Sequence, residues 1–349
     1  MAAQNQPALN RKILYFAVDA DATGAQRLHR PLELLKQRGA RVELLNKNNL
    51  DQQLKDADLV LLQCLIGPDE LPLVRRCKQA GVKVIVDYDD NFFALPTVVL
   101  KRLPWSQQQI TETWIKYLQL ADLVTVSCYS LADVVKPFVK EVFVLPNYLL
   151  KGDLATDSYN PFDDTSETRI MFSGSESHQE DFQWVCPVLK WIGEHYPQVR
   201  IITQGKLDFS YYCPTYKGKA SHLLSVPYQS YMQSLREAKP HIFIAPLKPN
   251  AHSVCRSNLK FYQAGAIKAA FIGSDSPAYG NISHGNDGLL PAYRLTWWWY
   301  LRTLIRDLNF ARNLGQSAFS TVQSNTLETQ INRWLFAYET LIEDKPRAA

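Results

Sequence analysis

Short runs of apolar, often β-branched residues that alternate with helical periods are the feature that most restricts how this chain folds. Ile13 to Val18, following the basic pair Arg11-Lys12, is a continuous apolar run with the length of a buried parallel strand. A helical segment from about Ala25 to Arg38 stops at Gly39, and Arg41 to Leu45 supplies a second strand, so the order is β-α-β. The pattern continues with a strand at Asp58 to Gln63 and a helix at Glu70 to Ala80 ended by Gly81. Strands follow at Val82 to Asp87, Asp122 to Val126 and Val142 to Leu145. Such alternation predicts a parallel, doubly wound sheet.

Residues 151–168, KGDLATDSYNPFDDTSET, are rich in turn-forming residues and lack apolar periodicity, which reads as a linker. The alternation then restarts. Strands are expected at Arg169 to Phe172, Val199 to Thr203, His222 to Val226, Ile242 to Ala245 and Ala269 to Ile272, with a helix from about Glu180 to His195. The expected fold class is therefore α/β, with two doubly wound Rossmann-like domains over residues 1–150 and 169–325. Ligands of open parallel sheets bind beyond the carboxyl ends of the strands, so the site is expected in a central cleft between the two domains.

The size agrees, since 349 residues hold two cores at about 150 residues per domain. A 46% hydrophobic and 21% charged composition excludes a disordered chain. The net charge of +4 is too mild for a nucleic-acid-binding stripe, but is compatible with a small anionic ligand or an anionic membrane surface. Cys64, Cys77, Cys128, Cys186, Cys213 and Cys255 are widely spaced and lack zinc-ligand patterning, so they read as reduced thiols. No stretch approaches the roughly 20 apolar residues of a membrane span, and the first ten residues lack the apolar core of a signal peptide. The reading is a cytoplasmic protein, at most peripheral at the inner face of a membrane.

Three segments carry chemistry. The most informative is Arg256-Ser257-Asn258-Leu259-Lys260-Phe261-Tyr262-Gln263-Ala264-Gly265, expected to open a helix with Ser257 as N-cap. A helix start presents unpaired N–H groups and the positive end of its dipole, and Arg256 and Lys260 add two cations, which suits a diphosphate. An ordinary solvated helix with basic residues is the alternative. In the second segment, Asp87-Tyr88-Asp89-Asp90, acidic residues end a strand. Asp89 or Asp90 could orient an acceptor hydroxyl or take its proton, the carboxylates could serve as caps and turns, or Asp87-x-Asp89 could hold a divalent cation. The third is the loop Ser173-Gly174-Ser175-Glu176-Ser177-His178, where glycine lets a ligand approach the backbone.

The stretch SNLKFYQAGAIKAAFIGSDSPAYGNISHGNDGLL resembles the donor-binding signature of GT-B glycosyltransferases of the family 4 type. The basic-Ser-x-x-Lys start is Arg256, Ser257 and Lys260, followed by the Ser274-Asp275 turn and the turn from His284-Gly285 to Gly288-Leu289. Gln263 departs, standing where the family places a glutamate that hydrogen-bonds ribose or donor-sugar hydroxyls; an amide can donate and accept but carries no charge. Trp297, Leu301, Leu304, Asp307 and Leu314-Gly315 are similar to the family's following helix pair. Ala121 to Ser127, Leu131 and Val144-Leu145-Pro146-Asn147 are similar to its exit from the first domain.

The resemblance implies a glycosyltransferase that moves a sugar from a nucleotide sugar to a glycan, lipid or protein acceptor, retaining the anomeric configuration without a metal or other cofactor. It implies donor contacts from Gly174, His178, Lys206, Arg256, Ser257, Asn258, Lys260 and Gln263, with His178 matched together with Asp181. Asp89 and Asp90 are then the catalytic candidates, and Gly24, in the loop after the first strand, is an acceptor-side or simple turn residue. It also implies that a C-terminal helix over 326–349 packs back on the first domain. That helix has a stripe of Ile331, Trp334, Leu335, Tyr338 and Leu341 that needs a partner surface. Two other readings stay open: a GT-B-shaped protein that binds a nucleotide sugar without transferring it, motivated by Gln263, and a metal-dependent Asp-x-Asp transferase of the single-domain type. Trp297-Trp298-Trp299-Tyr300 invite a membrane reading, but at helical spacing they point to different faces, and packing of the second domain is the expected role for some of them.

Overall fold

A computed structural model describes residues 11–18 and 22–343. They form two compact units, each an α/β unit built on one parallel sheet. The first comprises the described residues through Leu95, Leu103–Asn147 and those from Leu327 onward; the second comprises Pro96–Arg102 and Tyr148–Thr326.

In the first unit the strands are β1 (Lys12–Ala17), β2 (Arg41–Leu44), β3 (Leu59–Gln63), β4 (Lys83–Tyr88), β5 (Leu123–Val126) and β6 (Val142–Val144). They lie in the order β2-β1-β3-β4-β5-β6 with every pairing parallel. The crossovers carry helices α1 (Arg30–Gln37), α2 (Leu71–Gln79), α3 (Gln107–Leu120) and α4 (Tyr129–Val135). Helices cover both faces of such a sheet, which explains why Leu59, Val60, Leu61 and Leu62 of β3 are all wholly buried. Helix α3 starts where Ser106 and Gln109 form a reciprocal capping box.

The second unit has β7 (Thr168–Gly174), β8 (Val199–Gly205), β9 (Lys219–Leu223), β10 (Ile242–Ala245) and β11 (Ala270–Gly273), in the order β11-β10-β7-β8-β9. Its long helices are α5 (Gln179–His195), α6 (Tyr228–Ala238), α7 (Leu259–Ala266), α8 (Arg294–Arg306) and α9 (Leu308–Ser324). Gly265 allows α7 to approach α9 closely, because a β-carbon there would lie 2.7 Å from Val322 and 2.9 Å from the Ala318 carbonyl. The turn-rich segment 151–168 packs within this unit: Ala155 N–H donates to the Ala266 carbonyl, Lys268 Nζ reaches the Thr156 and Tyr159 carbonyls, and Phe162 is buried.

Several expectations shift. The first helical run begins at Ala22 and passes through a π-helical turn, Ala25–His29, before α1, so Gly24 lies in a helix rather than a loop. Its φ of −62° is open to any residue. The expected strand at His222 to Val226 is β9, placed three residues earlier. The C-terminal helix is divided into Leu327–Gln330 and α10 (Asn332–Glu343).

The π-helical turn carries Arg27, only 1% exposed. Its Nε and Nη2 donate to the two oxygens of Asp87 at 2.9 and 2.7 Å, and Thr125 Oγ1 donates to the same carboxylate at 2.6 Å. Nη1 donates to the Leu145 carbonyl and to Asn147 Oδ1. One guanidinium thereby joins the ends of β4, β5 and β6, and burial, which opposes its charge, is outweighed by Asp87, so its pKa is raised. Tyr338 of α10 lies close enough to this pair for Asp87 to help push its phenol pKa up, the larger cause being burial.

Breaking a buried pair strands the remaining charge, so Arg27→Met is expected to destabilise by about 3–5 kcal/mol. Arg27→Met/Asp87→Leu, which removes both charges, should recover most of that in chemical denaturation; equal losses in single and double variants would refute the charge argument. A second expectation concerns α10. Ile331, Trp334, Leu335, Tyr338 and Leu341 are buried, and at about 1.5–3 kcal/mol for each such side chain their removal consumes the whole stability of an ordinary domain. Truncation after Thr326 should leave the first unit unable to fold, read as loss of its melting transition.

Candidate functional site

In the second unit β7 is central and parallel to its neighbours β10 and β8, so the segments after all three meet at one sheet edge. Gly174 ends β7 opposite Gly205, which ends β8. Gly205 has φ +107°, and a β-carbon on it would stand 2.5 Å from the Gly174 carbonyl, so no other residue fits. Lys206 follows with its backbone N–H bonded to that carbonyl at 3.3 Å and its side chain exposed.

After β7, a 3₁₀ turn over Glu176–His178 leads into α5. His178 Nδ1 is 3.0 Å from Asp181 Oδ2. Asp181 is buried, and its other oxygen accepts from the Lys248 N–H at 2.8 Å and from Ser253 Oγ at 3.3 Å. The carboxylate thus joins the loop after β10 to the start of α5 and orients the imidazole, with Nδ1 as donor. Burial, then the Arg256 charge, then Lys260 hold the His178 pKa down at about 4 against the opposing pull of Asp181. At neutral pH the ring is uncharged.

The loop after β10 delivers the basic segment. Arg256 has extended backbone, and its Nη2 donates to Ser177 Oγ at 2.7 Å. Helix α7 begins only at Leu259, with Asn258 in the cap position and no side-chain cap, so Ser257 is not the N-cap expected from the sequence. Asn258 instead donates from Nδ2 to Asn281 Oδ1 at 3.1 Å. Lys260 and Gln263 lie three residues apart on one face of α7. Lys260 Nζ is 3.5 Å from Tyr231 Oη and 5.7 Å from the centre of its ring. The Tyr231 hydroxyl is 2.8 Å from Ser173 Oγ and 3.3 Å from Gln263 Oε1, and its one proton serves one of them at a time. The Lys260 side chain is half-buried; desolvation first and the neighbouring Arg256 second bring its pKa down to about 8.

The structure therefore brings together Gly174, His178, Arg256, Lys260 and Gln263 with Ser173 and Ser177 of the third segment, and adds Tyr231, which no motif in the sequence signals. Arg102, in the short segment Pro96–Arg102, forms an ion pair with Glu176 next to Ser177. The Ser274-Asp275 and His284-Gly285 turns are structural: Ser274 Oγ accepts from the Leu247 N–H, and His284 Nδ1 accepts from the Leu290 N–H.

In the first unit, Asp89 and Asp90 follow β4 as half-buried residues, and the Asp89 carbonyl accepts from Ser127 Oγ at 3.4 Å. Asp87 of the Asp87-x-Asp89 pair is engaged by other side chains. Both Asp87 oxygens are occupied by Arg27 and Thr125, and Tyr88 between the two acids is wholly buried. Among the described residues no group of three His, Cys, Asp or Glu is arranged to hold a metal ion.

No protein-family model matches the chain, and no curated protein does. Solved structures do match. Sucrose-phosphate synthase from Thermosynechococcus elongatus superposes with a TM-score of 0.68 at 12% identity, covering 96% of this chain and 100% of that one. HepE from Anabaena, solved with UDP and glucose, gives 0.68 at 13% identity over 95% and 100%. A glycosyltransferase from Rickettsia africae gives 0.66 at 11% identity over 97% and 100%. At these identities the likeness is one of fold: the chain has the two-sheet α/β fold of GT-B glycosyltransferases.

Proposed function

We propose that the chain is a glycosyltransferase that binds a nucleotide sugar with its diphosphate against Arg256, Lys260 and the start of α7. The observation that carries this reading is the packing of two cations at one sheet edge, beside an imidazole held neutral, with burial and Arg256 already lowering the Lys260 pKa to about 8. Burial and the Arg256 charge disfavour the Lys260 ammonium in the free chain, and a bound anion would relieve that cost. The likeness to HepE, solved with UDP and with UDP-glucose, favours uridine as the base.

Negative charge grows on the departing diphosphate as the sugar leaves. Arg256, Lys260 and the α7 N–H groups stabilise that charge more in the transition state than in the ground state, which accelerates transfer without requiring a metal or other cofactor. Gly174 and Gly205 let the donor approach the backbone, with Lys206 able to extend toward its phosphates. Gln263 and Tyr231 offer an amide and a hydroxyl to ribose or sugar hydroxyls, and Asp89 or Asp90 orients the acceptor. Transfer is proposed to retain the anomeric configuration. The acceptor is a glycan, lipid or protein. A second reading, binding without transfer, is favoured by one observation, the uncharged Gln263 at the place of a glutamate.

Calorimetry with UDP, GDP and ADP, followed by hydrolysis assays on the corresponding sugars, separates the readings. A transferase leaks sugar to water, whereas a binding protein gives no release above background. Arg256→Ala and Lys260→Ala are each expected to weaken diphosphate binding about tenfold or more, given about 1.5–3 kcal/mol for a charge-assisted hydrogen bond. Normal binding in both variants would remove the assignment.

Ionisation gives an independent check. The free-chain pKa of Lys260 is about 8, below its ordinary 10.5, and a bound diphosphate favours the ammonium form. Affinity should therefore fall as pH rises through about 8, and binding at pH near 8.5 should take up a fraction of a proton. Calorimetry in buffers of different ionisation enthalpy measures that uptake, which Lys260→Met should abolish. The same linkage makes the free chain more stable as pH rises from about 8 toward 10.5, because the unfolded lysine keeps its proton longer; Lys260→Met should flatten that rise.

A further inference from the structure

Helix α8 has two chemically different sides. Trp297, Leu301, Leu304 and Ile305 are buried in the core of the second unit. The opposite side carries Leu295 (75% exposed), Trp299 (55% exposed), Arg302 and Arg306, at spacings of four, three and four that form one stripe. Tyr293, just before the helix, is 73% exposed. Trp298 extends the stripe to α5, where its ring lies 5.3 Å from Trp191, and His195 stacks on Trp191 at 3.9 Å. The Arg302 guanidinium lies 5.3 Å over Trp298 and 6.0 Å over Trp299, so its charge sits on the aromatic surface.

The charge of this face is one-sided. The helix sequence, RLTWWWYLRTLIR, contains three arginines and no carboxylate. The acidic groups at its borders are engaged: Glu194 pairs with Lys190 at 4.0 Å, and Asp307 caps α9 by accepting from the Phe310 N–H at 2.9 Å. An ordinary soluble surface interleaves both signs and scatters its exposed apolar groups. Exposed tryptophan, tyrosine and leucine set among arginines is instead the composition of a helix lying in a lipid–water interface. There the indoles take the headgroup level and the guanidinium groups meet phosphates.

We propose that the outer face of α8, extended by Trp191, docks the chain on an anionic phospholipid surface. Charge complementarity selects this occupant. A second copy in a self-complementary dimer would bring like charges together, and a stacked glycan would find the Trp191 and Trp298 rings already engaged by His195 and Arg302. No helix among the described residues is long and apolar enough to cross a bilayer, so α8 would lie in the plane of the interface. The inference does not depend on the sugar-transfer reading.

The test is co-sedimentation of the full chain with vesicles of phosphatidylcholine alone and of phosphatidylcholine mixed with phosphatidylglycerol. Binding is expected only to the mixed vesicles and should weaken with salt. Arg302→Gln and Arg306→Gln should each reduce it about fivefold, equivalent to about 1 kcal/mol per basic residue. Leu295→Ser/Trp299→Ser should reduce it further at an unchanged melting temperature. Brominated lipids should quench the fluorescence of the unaltered chain, and less so in Trp299→Phe. Absence of binding to the mixed vesicles, equal binding to neutral ones, or binding untouched by all these variants would overturn the proposal. A dimer in sedimentation velocity that the same variants dissolve would reassign the face to self-association.

Discussion

A parallel strand ends at the same edge as its neighbours, and both units of this chain are organised by that constraint. In the first unit, the ends of β4, β5 and β6 would leave the Asp87 carboxylate, the Thr125 hydroxyl and the Leu145 carbonyl without water. Arg27 answers all three, directly or through Asp87. Its position in a π-helical turn is consistent with that use, since such turns re-aim side chains at the expense of regular hydrogen bonding. Asn147, the last residue before the second unit begins, accepts from the same guanidinium, so the exit of the chain is tied to the sheet edge as well.

The second unit meets the same constraint with the opposite balance. Asp181 is satisfied locally, by His178, Lys248 and Ser253. Arg256 donates to the neutral hydroxyl of Ser177, and the neighbour of Lys260 is the Tyr231 hydroxyl, its phenol kept protonated by burial. Two cationic side chains thereby stand near one imidazole, and both lower the His178 pKa. The proposed diphosphate site therefore differs from the Arg27–Asp87 pair in that burial lowers the pKa of its lysine, a cost that a folded chain tolerates where binding recovers it.

What was legible in the sequence follows from which interactions are local. Strand runs such as Ile242–Ala245 are readable because burial on both faces demands continuous apolar residues. Strand β9 is misplaced by three residues for an equally physical reason: Leu223-Leu224 draws an apolar reading downstream, whereas pairing with β8 fixes the strand at Lys219–Leu223 and leaves Leu224 76% exposed. Ser257 looks like a cap, yet Arg256 is still extended and the helix starts two residues later. Arg256, Lys260 and Gln263 are legible as a local motif. Tyr231 is not, because its partners Ser173 and Gln263 are 58 and 32 residues away. The pairing of Asp87 with Arg27, 60 residues earlier, is likewise invisible in an acidic run that offers acceptor, capping and cation readings but names no distant arginine. The Trp297 to Tyr300 run divides as helical geometry requires, with Trp297 in the core and Trp299 outside.

Gln263 gains meaning from this geometry. A carboxylate at that position would stand where Oε1 now lies, 3.3 Å from the Tyr231 hydroxyl, which is itself 3.5 Å from Lys260 Nζ. It would favour the ammonium form, raise the pKa of Lys260 from about 8, and cancel one of the two positive charges seen by an incoming ligand. The amide keeps the hydrogen-bonding capacity without adding a negative charge beside Lys260. The change therefore acts on charge more than on shape: in the proposed donor site it would favour a dianion such as a diphosphate and couple that binding to the protonation of a single lysine.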